Sequence, residues 1–185
     1  MPPVWVLLSG CRCSGKDSAA DYLPLLYPLA VHRRTSFALK VKEEFCRDHG
    51  LDLPRMLTDR DYKELHRPGL IAHAMEKRRH DADHWVAAAY AEFADLADGI
   101  VVVTDYRFAN ERRYLEQRGL RVVHIAVAAS DETRRQRGWR YTEGVDDAES
   151  ETNAPGLIDD ATFIVENNGD RTQLLENMTS VRLAA

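Results

Sequence analysis

Gly10-Cys11-Arg12-Cys13-Ser14-Gly15-Lys16-Asp17 follows the apolar run Val4-Trp5-Val6-Leu7-Leu8. A strand feeding a Gly-x-x-x-x-Gly-Lys loop is the phosphate-cradling P-loop. Glycines at both ends let the backbone curl so that successive N–H groups point inward at an anion. A helix predicted from Asp17 adds the positive end of its dipole. Lys16 then reaches the β- and γ-phosphates as a point charge. Position 17 is Asp, where Ser or Thr usually supplies a hydroxyl to Mg²⁺. Either Asp17 meets the metal as a carboxylate, or Ser14 or Ser18 stands in, and spacing alone leaves the three open.

The surrounding pattern is α/β. Strands are predicted at Val4–Leu8, Thr35–Phe37, Ile100–Val103, Val122–Val127 and Thr162–Val165. Ile100-Val101-Val102-Val103 is the continuous β-branched run of a strand buried on both faces of a parallel sheet. Between them fall helices predicted at 17–27, 38–49, 62–67, 70–80, 83–96, 109–118, 130–137 and 170–183. Pro54–Asp61 reads as loop, and Pro68-Gly69 as a break between two helical pieces. Alternating strands and helices imply a three-layer α/β fold with a parallel sheet of about five strands. A P-loop after the first strand puts the site at the carboxyl ends of the strands.

The chain has 185 residues, read as a single domain spanning 1–185, with 44% apolar residues and a net charge of -5. An acidic balance argues against a general nucleic-acid binder. No run approaches the length of a membrane span and no secretory leader is expected. Cys11, Cys13 and Cys46 form no disulfide framework, so a reducing, cytoplasmic setting is expected. A Cys11-x-Cys13 metal half-site is disfavoured, since both thiols fall in the phosphate loop. His80 and His84 end one predicted helix and start another, so they are not read as metal ligands. A monomer is the simplest expectation.

Three further constellations carry chemistry. Asp105 follows the Ile100–Val103 strand in the manner of a Walker-B carboxylate that holds Mg²⁺. Arg107, two residues on, is placed to clamp a phosphate, or else to pair with Glu111 at helical spacing. Lys63 and Arg67 share a helical face, and Lys77, Arg78 and Arg79 end the next piece, where the helix dipole alone accounts for cations. Arg134, Arg135, Arg137 and Arg140 surround Gly138-Trp139, and an acidic run from Asp146 to Glu151 follows. A basic cluster and then an acidic one on a polar stretch, about 138–151, reads as a mobile lid that closes over phosphates.

These residues resemble the animal-type phosphomevalonate kinase family over nearly the whole chain, from about Val6 to Gly169. The P-loop with its atypical Asp17, the segments Tyr62-Lys63-Glu64 to Arg67 and Glu76-Lys77-Arg78, Asp105 with Arg107, and Glu166-Asn167 follow the family's order. Arg137-Gly138-Trp139, Thr142 and Gly144-Val145-Asp146-Asp147-Ala148-Glu149-Ser150-Glu151 resemble its lid signature almost residue for residue. The chain departs from the family at Cys11, Cys13 and Phe108, where cations are usual.

The resemblance implies a fold like the nucleoside monophosphate kinases and transfer of the γ-phosphoryl of ATP to mevalonate 5-phosphate in isoprenoid synthesis. It implies ATP contacts from the loop residues Gly10, Cys11, Arg12, Cys13, Ser14, Gly15, Lys16 and Asp17, with Arg134, Arg137 and Asn168. It implies acceptor contacts from Lys63, Arg67, Arg78, Arg107 and Asn167, with Lys16, Arg107 and Arg137 acting on the transferred group. Mg²⁺ would be held at Asp17 and Asp105. The rival reading is a deoxynucleoside monophosphate kinase, with Tyr62, Trp85, Tyr106 and Phe108 as candidates for a base pocket. A nucleotide-binding switch is a third, disfavoured by the arginine clusters outside the loop.

Overall fold

The computed structural model describes residues 2–183, and these form two compact units. The first joins residues 2–34 to 96–183, and the second is Thr35–Asp95.

The first unit is built on a five-stranded sheet: β1 (Val4–Ser9), β2 (His32–Thr35), β3 (Ile100–Val103), β4 (Arg121–Ala128) and β5 (Phe163–Glu166). The order across the sheet is β2-β3-β1-β4-β5. β1 runs parallel to β3 and β4, and β4 runs parallel to β5. The continuous apolar runs have their expected cause, because β1 and β3 are covered on both faces. Val6, Leu8, Val102, Ile125 and Val127 are buried on the face covered by α1 (Lys16–Leu26) and the late helix Arg171–Met178. The alternate residues Trp5, Leu7, Val101 and Val103 are fully buried on the other face. Truncating one such core side chain to alanine costs about 2–5 kcal/mol. Pro24 lies inside α1 without ending it.

The second unit is helical: α2 (Phe37–His49), α3 (Leu53–Thr58), α4 (Arg60–His80) and α5 (His84–Glu92). Two expectations are corrected here. The segment read as loop at 54–61 is helical except at Asp59, with α3 running to Thr58 and α4 starting at Arg60. Asp52 caps α3, its side chain accepting from Arg55 N at 2.9 Å, and Pro54 suits a first turn. Pro68-Gly69 does not divide the next helix, and α4 runs unbroken for 21 residues. Proline loses one backbone bond and strains the turn before it, but does not prevent continuation. Gly69 has a packing reason, since a Cβ there would stand 2.9 Å from the Phe45 ring. Phe45, Cys46, Met56 and Leu70 form this unit's core.

Glu44 joins three of the helices. Its carboxylate meets Lys77 at 2.6 Å and His73 at 3.4 Å from α4, and His84 at 2.9 Å from α5. Burial alone would raise its pKa, but the bonds from Lys77 and His84 overcome that and hold it at about 2. Lys77 therefore has a structural partner beyond the helix dipole.

The rest of the first unit comprises α6 (Ala109–Glu116), α7 (Asp131–Gln136), α8 (Glu149–Thr152) and α9 (Arg171–Met178). The strand expected at Thr35–Phe37 instead ends at Thr35, because Ser36 caps α2 through a 3.0 Å bond from Leu39 N. The helix expected over 83–96 is α5, which stops at Glu92. The polar stretch after Gly138 holds the single turn of α8.

Candidate active site

Parallel strands bring four loops to one edge of the sheet. The P-loop leaves β1, the Asp105–Arg107 turn leaves β3, the Ser130 cap of α7 follows β4, and Asn167 follows β5. The P-loop backbone is the cradle its glycines require. Gly10 has φ 139° and Gly15 φ 98°, both in the region favouring glycine. A Cβ on Gly10 would lie 2.3 Å from the Val127 carbonyl, and one on Gly15 would lie 2.1 Å from Asn167 Nδ2. Cys13 also has positive φ, at 60°, and Ser14 N donates back to the Cys11 carbonyl at 3.2 Å.

Cations converge on this loop. Lys16 Nζ donates to the carbonyls of Gly10 at 2.7 Å and Cys11 at 3.0 Å. Arg107 Nη1 donates to the same Gly10 carbonyl at 2.8 Å, and its Nη2 reaches Glu151 Oε1 at 2.9 Å. Burial, and then the charge of Arg107, bring the Lys16 pKa from 10.5 down to about 8. Glu111 does not pair with the Arg107 guanidinium. It is buried and accepts the backbone N–H of Arg107 at 3.0 Å and of Phe108 at 3.1 Å, which fixes the turn from β3 into α6.

The 138–151 stretch lies against the loop in the same unit. Arg137, at the end of α7, donates to Ser14 O at 3.2 Å and to Asn167 Oδ1 at 3.0 Å. Asn167 is buried and donates to Ser14 O at 2.7 Å. Arg134 Nε donates to Arg12 O at 2.8 Å, and its guanidinium lies 4.0 Å from the Trp139 ring centroid. Asn168 is set apart, its Oδ1 accepting from Ser130 N at 2.7 Å where α7 begins.

The expected metal residues fare differently. Asp17 is mostly exposed and pairs with Arg34, which also meets Asp21 at 2.8 Å. Asp105 is half-buried two residues past β3. Ser14 Oγ is buried with no hydrogen-bond partner among the described residues. An uncommitted buried hydroxyl inside a cationic loop is a donor set that fits a phosphate or its magnesium ion.

Lys63, Arg67 and Arg78 lie on α4 in the second unit. Glu64 forks onto Arg67 and leaves Lys63 out of that pair. Of the aromatics considered for a base pocket, Trp85 is buried and donates to Ala74 O at 3.2 Å. Tyr106 is buried against His124, with ring centroids 4.8 Å apart. Neither ring is available to stack on a base. Sequence reading missed the pairings Arg34–Asp17 and Ser9–His124, the second a buried 2.7 Å bond directly beneath the loop. No local pattern marks them, because their partners come together only in the sheet.

A phosphate loop, one lysine and four arginines at the carboxyl edge of a parallel sheet define a P-loop kinase. The fold has the same form as two solved enzymes of low sequence likeness. One is a sugar kinase from a Janibacter species, with TM-score 0.51 and 14% identity over 97% of this chain and 93% of that one. The other is dephospho-CoA kinase from Campylobacter jejuni, with TM-score 0.51 and 13% identity over 96% and 94%. The family model described as phosphomevalonate kinase matches residues 8–121, and the chain belongs to that family. It is 29% identical to the phosphomevalonate kinase of Drosophila melanogaster across 178 residues, covering 91% of this chain and 90% of the relative.

Proposed function

We infer that this chain transfers the γ-phosphoryl group of ATP to mevalonate 5-phosphate, giving mevalonate 5-diphosphate and ADP. The observation that carries the reading is the shared use of the Gly10 carbonyl by Lys16 and Arg107 in a member of this family. One cation from the nucleotide loop and one from the strand-end turn meet at the point where a transferred phosphoryl would pass.

The chemistry suits the residues. A phosphate acceptor is largely ionised near neutral pH, so no general base is required. Rate then comes from aligning two polyanions and neutralising the charge that develops between them. Lys16 and Arg12 serve the triphosphate. Lys63, Arg67 and Arg78 serve the acceptor phosphate, and Arg107 serves the transferred group. Arg134 and Arg137 bring the lid stretch onto the loop, and closure excludes water that would otherwise accept the phosphoryl. Asp105 and the Ser14 hydroxyl would hold magnesium, which would supply charge neutralisation to the phosphates. Asp17 reaches that position only by leaving Arg34.

Cys11, Cys13 and Cys46 are free thiols, in keeping with a reducing, cytoplasmic setting. Among the described residues no helix is long and apolar enough to cross a membrane. We take the working form as one 1–185 kinase domain acting as a monomer.

The deciding experiment is ADP release measured in a coupled assay with mevalonate 5-phosphate and with each (deoxy)nucleoside monophosphate. Mevalonate 5-phosphate should have a far higher kcat/KM. Faster turnover of dTMP or dGMP would replace this reading with the nucleotide-kinase one.

A further inference from the structure

Asp146 lies in the acidic run of the lid stretch, yet its side chain is only 7% exposed. Three donors converge on its carboxylate. Oδ2 accepts from Arg12 Nη1 at 2.6 Å and from Thr142 N at 2.8 Å, and Oδ1 accepts from Trp139 Nε1 at 2.9 Å. The Trp139 ring lies beneath Arg134, and Arg134 returns to the Arg12 carbonyl. Arg12, Asp146, Trp139 and Arg134 thus form a closed ring that includes both the nucleotide loop and the lid.

We propose that Asp146 is the positioning residue for Arg12, holding its guanidinium over the P-loop in the orientation that receives the phosphates of ATP. This rests on the kinase reading above. An arginine stem carries about 2 kcal/mol of rotamer entropy, which an unanchored side chain must lose when nucleotide binds. Asp146 removes most of that loss beforehand. It also supplies negative charge where Arg12, Arg134, Lys16 and Arg137 would otherwise repel one another. Burial would raise its pKa, but the bonds from Trp139 and Thr142, with the charges of Arg12 and Arg134, hold it below the usual carboxylate range. It therefore remains a full anion at neutral pH.

The chemistry of the three donors makes the test specific. Asn at this position keeps one carbonyl oxygen for a single donor direction. Its amide N–H₂ then faces either Trp139 Nε1 or the pair Arg12 and Thr142 N, and all three of these donate. D146N should therefore remove the negative charge that anchors Arg12 and set an amide N–H₂ against one of the donors, while leaving side-chain volume unchanged. Binding of the β,γ-imido analogue of ATP, read by calorimetry with Mg²⁺ and no acceptor, should weaken about tenfold, the worth of one charge-assisted hydrogen bond. In the R12A background the same substitution should change binding less than twofold, because the residue it orients is gone. W139F keeps the ring under Arg134 and removes one donor, and should weaken the analogue only two- to threefold.

KM for mevalonate 5-phosphate should stay within twofold in D146N, whereas a general loosening of the fold would raise both constants. Analogue binding within twofold of wild type in D146N, or a tenfold loss that persists in R12A, overturns the proposal. If D146N fails to fold by circular dichroism, W139F with and without R12A gives the same comparison, and equal losses in the two backgrounds overturn it. The titration holds no acceptor, so an acceptor other than mevalonate 5-phosphate leaves this test intact.

Discussion

Arg107 and Lys16 donate to one carbonyl oxygen, that of Gly10, at 2.8 and 2.7 Å, from positions far apart in the sequence. Two cations on a single backbone acceptor repel each other unless an anion lies between or beside them. Glu151 supplies part of that anion through Arg107, and a transferred phosphoryl would supply the rest. R107A should therefore lower kcat by about a hundredfold or more, the usual loss for one charged clamp on a developing transition state. R107K restores the charge but cannot reach both Gly10 O and Glu151, so it should recover only part of the rate. Steady-state kinetics of the two variants test this, and a kcat near wild type in R107A would reduce Arg107 to a loop brace.

Lys16 predicts a pH profile. Its pKa in the free protein is lowered from 10.5 to about 8 by burial and by Arg107. Below pH 8 it carries the charge that nucleotide phosphates need, and above pH 8 that charge is lost. The kcat/KM for ATP reports ionisations of the free enzyme, so it should decline as pH rises through about 8. K16R keeps its charge and should remove that decline, at a lower overall level. K16M should lose turnover at every pH. A wild-type profile flat from pH 7 to 9.5 would contradict the assignment.

Much of this was legible in the chain for a physical reason: glycine, lysine and periodic apolar runs act locally. The P-loop needs Gly10 and Gly15 where φ turns positive, and Ile100–Val103 needs burial on both faces, so the sequence carries both signals in a few residues. The α4 error has the opposite cause. Pro68-Gly69 ordinarily breaks a helix, but here the packing of Phe45 on Gly69 outweighs the local preference. The pairings of Asp146 with Arg12 and of Ser9 with His124 cross more than a hundred residues. No spacing rule reaches that far. Asp17 shows the limit most plainly, because its partner Arg34 follows from the end of α1 and the start of β2 rather than from the loop motif.

Acid should destabilise the protein in two steps. His124 is fully buried, bonded to Ser9 and edge-on to the Tyr106 ring, and burial lowers its pKa to about 4. The unfolded chain takes up that proton near 6.5, so stability falls as pH drops from about 6.5 to 4, by on the order of 3 kcal/mol. Glu44 has its pKa lowered from 4.5 to about 2, and its contribution is lost below that, between about 4.5 and 2. H124Q should flatten the upper step alone and E44Q the lower. Urea midpoints from pH 7 to 3 are the measurement, and an upper step that persists in H124Q would assign it elsewhere.

The stretch from Gly138 to Glu151, anchored at Asp146 in the free protein, should tighten further when substrates bind. Its hold on the first unit is polar: Arg137 on Ser14 and Asn167, Asp146 on Arg12, and Glu151 on Arg107. Tyr141, by contrast, is 64% exposed. Segments held by a few polar contacts open at low free-energy cost. With ATP and mevalonate 5-phosphate present, Arg134 and Arg137 gain phosphate oxygens as partners, and amide exchange across the stretch should slow. R137A removes a charge that acts mainly on the transition state, so kcat should drop well beyond any change in acceptor KM. Hydrogen exchange with and without both substrates, set beside R137A kinetics, gives the answer. Equal exchange in the two states, together with wild-type turnover in R137A, would mean that the stretch is a fixed wall of the site and does not close over it.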